Sequence, residues 1–231
     1  MPKTQSFFLV LLYGMFLSGC VTFAPPAPML TYGGPEITPK GASETAIGFG
    51  TGAALFSSGH AGAQGWFGRY KYGIHEKFDL GVDMLGVKRN SGLAFTFKGA
   101  VRYQLHKNIR LEFGLGAADD SNGKSLNGDF AATFGTRRDK PWNYYSSLRF
   151  GYANGFPGNV IFSTSNSSDT IAPPNTLFGV LNVGTQGNIG ENQKFIFEGG
   201  YGYIFPKEQS AAPVFYVSAG LFFYIGGKKR Q

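Results

Sequence analysis

The feature that most constrains the fold is a period-two alternation of apolar with small or polar residues, which recurs from residue 45 to residue 226. In one segment, Leu80 and Val82 fall on one side of the pattern. Asp79 and Asp83 fall on the other. Because successive side chains of a β-strand point to opposite faces, this alternation indicates strands that separate two environments. No long stretch shows the period of an amphipathic helix, so the body of the chain is predicted to be all-β.

Ten such segments, each of 9 to 14 residues, are separated by breaks in the alternation. We predict strands at 45–55, 63–74, 78–88, 93–105, 109–118, 130–138, 143–155, 177–189, 194–205 and 213–226. Short turns are predicted at 75–77, 106–108, 139–142 and 190–193, and mostly longer connections at 56–62, 89–92, 119–129, 156–176 and 206–212. In its architecture this region resembles bacterial outer-membrane barrels, which have short turns at one end and longer loops at the other. The predicted fold is a closed antiparallel up-and-down transmembrane β-barrel of about ten strands, with closure by eight or twelve left open.

The two faces of the predicted strands differ in composition. One face carries Phe, Leu, Val and Ile, with tyrosines near the strand ends, as in membrane barrels with aromatic belts. The other carries small residues and charges of both signs, which suit a narrow lumen where opposite charges pair. The predicted lumen charge network comprises Arg69, Lys71, Asp79, Asp83, Lys98, Arg102, Arg110, Glu112, Arg137, Arg149 and Glu198. A soluble lipocalin-like periplasmic barrel, which would turn its apolar face inward, is the main alternative.

The N-terminus has the organisation of an export signal, with a positive charge at Lys3 and an apolar stretch at 7–17. The sequence Leu17-Ser18-Gly19-Cys20 follows and resembles the lipobox of bacterial lipoproteins at all four positions. The resemblance implies cleavage before Cys20 and acylation of that cysteine with diacylglycerol and fatty acids such as palmitate. Val21 is not the aspartate that retains such lipoproteins in the inner membrane, so the resemblance favours the outer membrane of a Gram-negative cell.

We therefore expect a signal peptide at 1–19, a lipidated Pro-rich tether at 20–44, the barrel at 45–226 and a basic periplasmic tail at 227–231. The density of proline in 20–44 predicts a stiff, extended segment and not a packed element. An even number of strands leaves both barrel termini on the periplasmic side, where the tether would start.

The final predicted strand carries a second resemblance. Its Ser218, Gly220, Phe223 and Ile225 are spaced like the C-terminal signal recognised by the barrel-assembly machinery. Residues 226–231 follow, whereas the usual signal ends the chain, so the match is partial.

No catalytic group, metal site or cofactor is predicted. His60 with Ser57 and Ser58 is the nearest approach to the serine–histidine pairs of lipid A-modifying barrels, but it lacks an acid that would orient the base. The pair Asp119-Asp120 lacks the histidine partner that an omptin-type protease would require. One cysteine and three scattered histidines, of which His75 and His106 fall in predicted turns, do not form a metal site.

The predicted function is a structural or surface-interaction role in the outer membrane, without enzymatic activity. The expected partners are outer-membrane lipid and the barrel-assembly and lipoprotein-sorting machineries, with the external ligand left open. Nucleic acid is not expected, because the net charge of +7 is dispersed and not clustered with aromatic residues. Three alternatives remain: a narrow channel for small solutes, a lipid A-modifying enzyme and a soluble binding lipoprotein. In a channel, the predicted excess of seven basic over four acidic lumen residues would favour anions.

Overall fold

The computed structural model describes residues 30–31, 33–53, 63–89, 92–120, 123–136, 142–156, 175–190, 192–208 and 210–225. It contains ten strands: β1 (Ser43–Ala53), β2 (Ala63–His75), β3 (Phe78–Arg89), β4 (Gly92–His106), β5 (Ile109–Asp120), β6 (Gly123–Gly135), β7 (Trp142–Phe156), β8 (Thr176–Asn188), β9 (Gln193–Pro206) and β10 (Ala212–Ile225). Cys20, Arg137, His60 and the tail 227–231 lie outside the described residues. Within the described part of the chain, no helix is long and apolar enough to cross a membrane.

The strands form a closed antiparallel barrel, which confirms the predicted fold class and strand number. Each strand pairs with its neighbour in sequence, and β1 closes the sheet by pairing with β10 from Ser43↔Ile225 to Ala53↔Phe215. Closure removes the two sheet edges, so every strand satisfies its backbone groups on both sides.

The two ends of the barrel differ in the length of their connections. At one end, which we call the turn end, β2 meets β3 and β4 meets β5 through two-residue turns. The opposite end, called the loop end here, carries the two longest connections, 54–62 and 157–175, together with two-residue connections at 90–91 and 121–122. Strand β1 begins and β10 ends at the turn end.

Nine of the predicted strands agree with the structure to within two residues at each end, and β6 is the exception. It begins at Gly123 and not at residue 130, so the predicted long connection at 119–129 is wrong. Ser125, Asn127 and Asp129 are buried on the lumen side of β6, while Leu126 faces outward. A barrel strand needs apolar residues only on its outer face, so the polar inward residues do not end it.

The barrel is apolar outside and charged inside. Exposed large hydrophobic residues cover its outer surface, among them Phe49 at 74% and Leu115 at 77% exposure. Tyrosines face outward near both ends of the strands, with Tyr72 and Tyr144 near the turn end and Tyr152 and Tyr203 near the loop end. These two sets correspond to the aromatic belts of membrane barrels.

The chain preceding β1 enters the barrel. Residues 30–42, without the undescribed Tyr32, form what we call the luminal segment, and Leu30, Thr31, Ile37 and Thr38 are at most 5% exposed. This segment belongs to the predicted tether 20–44, but it is packed inside the barrel, so the prediction of an unpacked element is wrong for its described residues. Proline-rich composition predicts a stiff, extended segment, but it carries no information about the surface on which such a segment lies.

Two glycines let the luminal segment join β1. Gly41 has a positive φ of 76° where the chain turns into the strand, and its amide donates to the Gly73 carbonyl at 2.8 Å. A Cβ on Gly73 would lie 2.0 Å from the carbonyl oxygen of Pro39. Only glycine at position 73 therefore permits this close approach of the two backbones.

Candidate functional site: the filled lumen

The lumen holds a charge cluster centred on Glu112. Lys98 Nζ lies 2.9 Å from Glu112 Oε1, and Arg149 Nη2 donates to the same oxygen at 2.8 Å. Arg102 Nε donates to Glu112 Oε2 at 2.9 Å. Three cations therefore share one carboxylate. All four side chains are fully buried, so this site is closed to the solvent outside the barrel.

Three aspartates extend this cluster. Asp83 receives a bidentate pair of hydrogen bonds from Arg69, at 2.6 and 2.7 Å. Arg102 also lies 3.3 Å from Asp83 and 3.4 Å from Asp79. Asp129 is paired with Arg149 and lies 3.4 Å from Lys98 Nζ. Strands β2 to β7 thus supply a continuous network of alternating charges, which is how buried ions are tolerated.

The remaining predicted lumen residues lie outside this centre. Arg110 is 3.9 Å from Glu112 but donates to the carbonyl oxygens of Gly34 and Glu36 in the luminal segment. Lys71 is paired with Glu44. Glu198 is separate from the cluster and accepts hydrogen bonds from the luminal segment, from Tyr145 of β7 and from Tyr216 of β10.

Three buried charged residues were absent from the predicted network: Glu44, Asp129 and Lys194. Asp129 was missed because β6 was started too late, and Glu44 because it precedes the predicted start of the first strand by one residue. Lys194 has the same parity as Glu198 in β9, so the alternation itself could have assigned it to the lumen. With these residues, the described lumen contains seven buried basic and six buried acidic side chains. The predicted seven-to-four excess is therefore not present among them, and it gives no ground for anion preference.

The N-terminal part of the luminal segment, at Thr31, binds side chains of β7, β8 and β9. The Thr31 amide donates to Glu198 Oε1 at 2.9 Å, and Asn182 Nδ2 donates to the Thr31 hydroxyl at 2.7 Å. The Thr31 hydroxyl also shares a hydrogen bond with Ser147. Arg69 donates to the Thr31 carbonyl, which connects this contact to the charge cluster.

The C-terminal part of the luminal segment, which includes Pro35 and Thr38, binds residues at the turn end. The Thr38 amide donates to Asp79 Oδ2 at 2.7 Å, and Gln104 Nε2 donates to the Pro35 carbonyl at 3.0 Å. Side chains of several strands thus satisfy backbone groups that have no partner in a sheet, as buried backbone groups require.

Apolar side chains also line part of the lumen. Leu30 belongs to a buried cluster that includes Phe67, Phe178, Ile204 and Tyr216. The cavity beside Leu30 measures about 10 Å³, room for roughly one water molecule. The sequence pattern did not predict inward-facing phenylalanines, because large residues occupy both faces of β2, β8, β9 and β10 and mask the alternation.

The histidines at the turn end have a structural role. His75 Nδ1 accepts a hydrogen bond from the Lys77 amide at 3.3 Å, and His106 Nδ1 accepts one from the Asn108 amide at 3.4 Å. Each histidine therefore stabilises the two-residue turn that follows it. No group of three or more potential metal ligands occurs among the residues described.

Solved structures of outer-membrane proteins share the barrel architecture at low sequence identity. An outer-membrane channel from Pseudomonas putida F1 is 11% identical, with a TM-score of 0.45 over 85% of this chain and 100% of that one. The N-terminal barrel domain of Pseudomonas aeruginosa OprF is 12% identical, with a TM-score of 0.39 over 81% of this chain and 100% of that one. The Escherichia coli outer-membrane protease OmpT is 9% identical, with a TM-score of 0.43 over 82% of this chain and 98% of that one. No family model matches the sequence, and no curated protein does.

Proposed function

We propose that this protein is an outer-membrane β-barrel lipoprotein, anchored through Cys20, that acts as a structural or surface-interaction protein and not as an open pore. The observation that carries the proposal is the inverted distribution of side chains, with large apolar groups outside and ion pairs buried inside. Such a surface matches a lipid bilayer and would be poorly solvated in water.

The filling of the lumen supports the non-conducting role. The charge cluster is supplied by β2 to β7, and Thr31 lies against β7, β8 and β9 near the middle of the barrel. Leu30 lies closer to the loop end, beside β1, β2, β3 and β10. A small barrel whose interior is filled by side chains does not form a broad pore. The long connection 157–175 at the loop end would be the surface available for recognition, because loops commonly carry binding sites.

Single-channel recording in planar bilayers tests this function. The wild-type protein, checked for folding by its altered migration in an unboiled detergent gel, is expected to leave the bilayer silent. Steady conductance by the wild type would contradict the proposal and support the narrow channel.

A variant lacking residues 31–38 separates the contribution of the luminal segment from that of the wall. We expect this variant to show discrete openings, because it removes the residues that lie between the charge cluster and the side chains of β8 and β9. The Glu208→Gln variant, altered at an exposed residue of the loop end, is the matched control and should stay silent.

A further inference from the structure

The luminal segment has a direction. Its residue Gly41 lies at the turn end, where it bonds to Gly73 near the end of β2. Pro35 and Thr38 are held by Gln104 and Asp79, which also lie near that end. When it is followed from there toward its N-terminus, the chain runs away from the turn end and further into the lumen.

The positions of Thr31 and Leu30 show how far the luminal segment extends from the turn end toward the loop end. Thr31 binds Ser147, Asn182 and Glu198, which lie near the middle of β7, β8 and β9. Leu30 lies closer to the loop end, beside Gly50 and Leu85 in the loop-end halves of β1 and β3. Gly33, with a positive φ of 118°, lies between the turn-end part and this rising part.

A return to the turn end would need a second passage through the same lumen. That space is already occupied by the charge cluster, the luminal segment and the buried apolar side chains. The cavity at Leu30 has room for about one water molecule, far less than an extended chain requires. Given the packing of the described residues, the loop end is therefore the exit that leaves the filled lumen unchanged.

The length of chain before Leu30 is sufficient to reach that exit. An extended chain spans about 3.3 Å per residue, so the residues from Cys20 to Leu30 cover up to roughly 33 Å. Strands of 11 to 15 residues tilted by about 40° rise roughly 30–40 Å, so half of the barrel height is about 15–20 Å. Cys20 can therefore lie beyond the loop end.

We infer that the chain threads its own barrel, so that the residues preceding Leu30 emerge at the loop end and the acyl anchor on Cys20 inserts from the external face of the outer membrane. This inference rests on the proposed function, because it takes the loop end to be outside the cell. It changes the expected topology: β1 still begins on the periplasmic side, but the N-terminus of the mature chain lies on the opposite side.

Cysteine labelling of intact cells tests the topology. Three variants of the full-length protein each receive one new cysteine: Ala24→Cys before the luminal segment, Ser165→Cys in the connection 157–175, and Lys107→Cys in a turn at the turn end. A membrane-impermeant maleimide is applied before and after permeabilisation of the outer membrane. Wild-type protein reports any reaction of Cys20 itself, and the unboiled gel confirms that each variant is folded.

The expected result is equal labelling of Ala24→Cys and Ser165→Cys in intact cells, with Lys107→Cys labelled only after permeabilisation. If Ser165→Cys is labelled in intact cells but Ala24→Cys is not, the inference that the chain threads the barrel is wrong. This holds whether or not permeabilisation restores the labelling of Ala24→Cys. Failure of Ser165→Cys to react in intact cells would instead contradict the proposed orientation of the barrel, so the two failures are distinguishable.

Discussion

The two sides of the lumen are filled in different ways. On the side of β2 to β7, the wall supplies its own filling, with Lys98, Arg102 and Arg149 gathered on Glu112. At β8 and β9 the wall carries inward glycines, and Thr31 of the luminal segment fills the lumen there together with Tyr145 and Tyr216. A Cβ on Gly200, for example, would lie 2.2 Å from the ring of Tyr216.

This difference separates the filling that side chains of the barrel wall supply from the filling that the luminal segment supplies. The charge cluster joins side chains of β2 to β7, so the wall supplies all of its ions. The filling at β8 and β9 depends on Thr31, which reaches it only because the chain before β1 enters the lumen. The first side should therefore dominate the free energy of unfolding, and the second should control occupancy of the lumen.

The largest effect is expected for Glu112→Ala. Removing this carboxylate leaves three buried cations without their shared anion, and breaking a buried ion pair in this way costs about 3–5 kcal/mol. The free energy of unfolding, measured by urea titration in detergent micelles, should fall by that amount. A loss below about 1 kcal/mol, within the range of exposed pairs, would show that the cluster is not essential.

A smaller effect is expected for Tyr216→Phe on the opposite side. The Tyr216 hydroxyl donates to Glu198, which also accepts from the Thr31 amide and from Tyr145 at 2.7 Å. A hydrogen bond to a charged group contributes about 1.5–3 kcal/mol. The same urea titration should show a loss in this range. A loss as large as that of Glu112→Ala would remove the proposed difference between the two sides.

Two glycines of β2 allow a still more local test. In Gly73→Ala the new methyl would collide with Pro39, whereas a Cβ on Gly68 meets nothing within 4 Å. We expect Gly73→Ala to lose about 1–3 kcal/mol through overpacking and to expose the luminal segment to added protease. Gly68→Ala is the control and should match wild type in both measurements. Equal behaviour of the two variants would indicate that the segment does not pack against β2.

The smallest effect is expected at the surface. Lys207 and Glu208 form an ion pair of 3.5 Å with side chains 70% and 82% exposed. Glu208→Gln should change the free energy of unfolding by less than about 0.5 kcal/mol, because solvent screens such pairs. A loss comparable with that of Tyr216→Phe would mean that the loop end is more ordered than its exposure indicates.

The sequence predicted the strands because lipid and lumen impose opposite demands on alternate residues. Leu80 and Val82 face outward and Asp79 and Asp83 face the lumen, as their spacing requires. The pattern failed at the start of β6, where one outward leucine is too weak a signal among polar inward residues.

Contacts across the lumen could not be predicted in this way. Alternation assigns a side chain to the lumen but not to a partner, so the shared position of Lys98 and Arg149 on Glu112 was not apparent. The luminal segment lacks periodicity altogether. Its place depends on backbone hydrogen bonds with Asp79, Gln104 and Glu198, which come from distant parts of the chain.

The outward orientation of the apolar face is tested most directly by the two tryptophans of the chain. Trp66 and Trp142 both face outward, at 37% and 52% exposure. In vesicles whose lipids carry bromine on their acyl chains, the intrinsic fluorescence should be strongly quenched, and the Trp142→Phe variant isolates the signal of Trp66. We expect bromolipid to quench Trp66 and aqueous iodide to leave it nearly unchanged. Quenching by iodide without quenching by bromolipid would contradict the account.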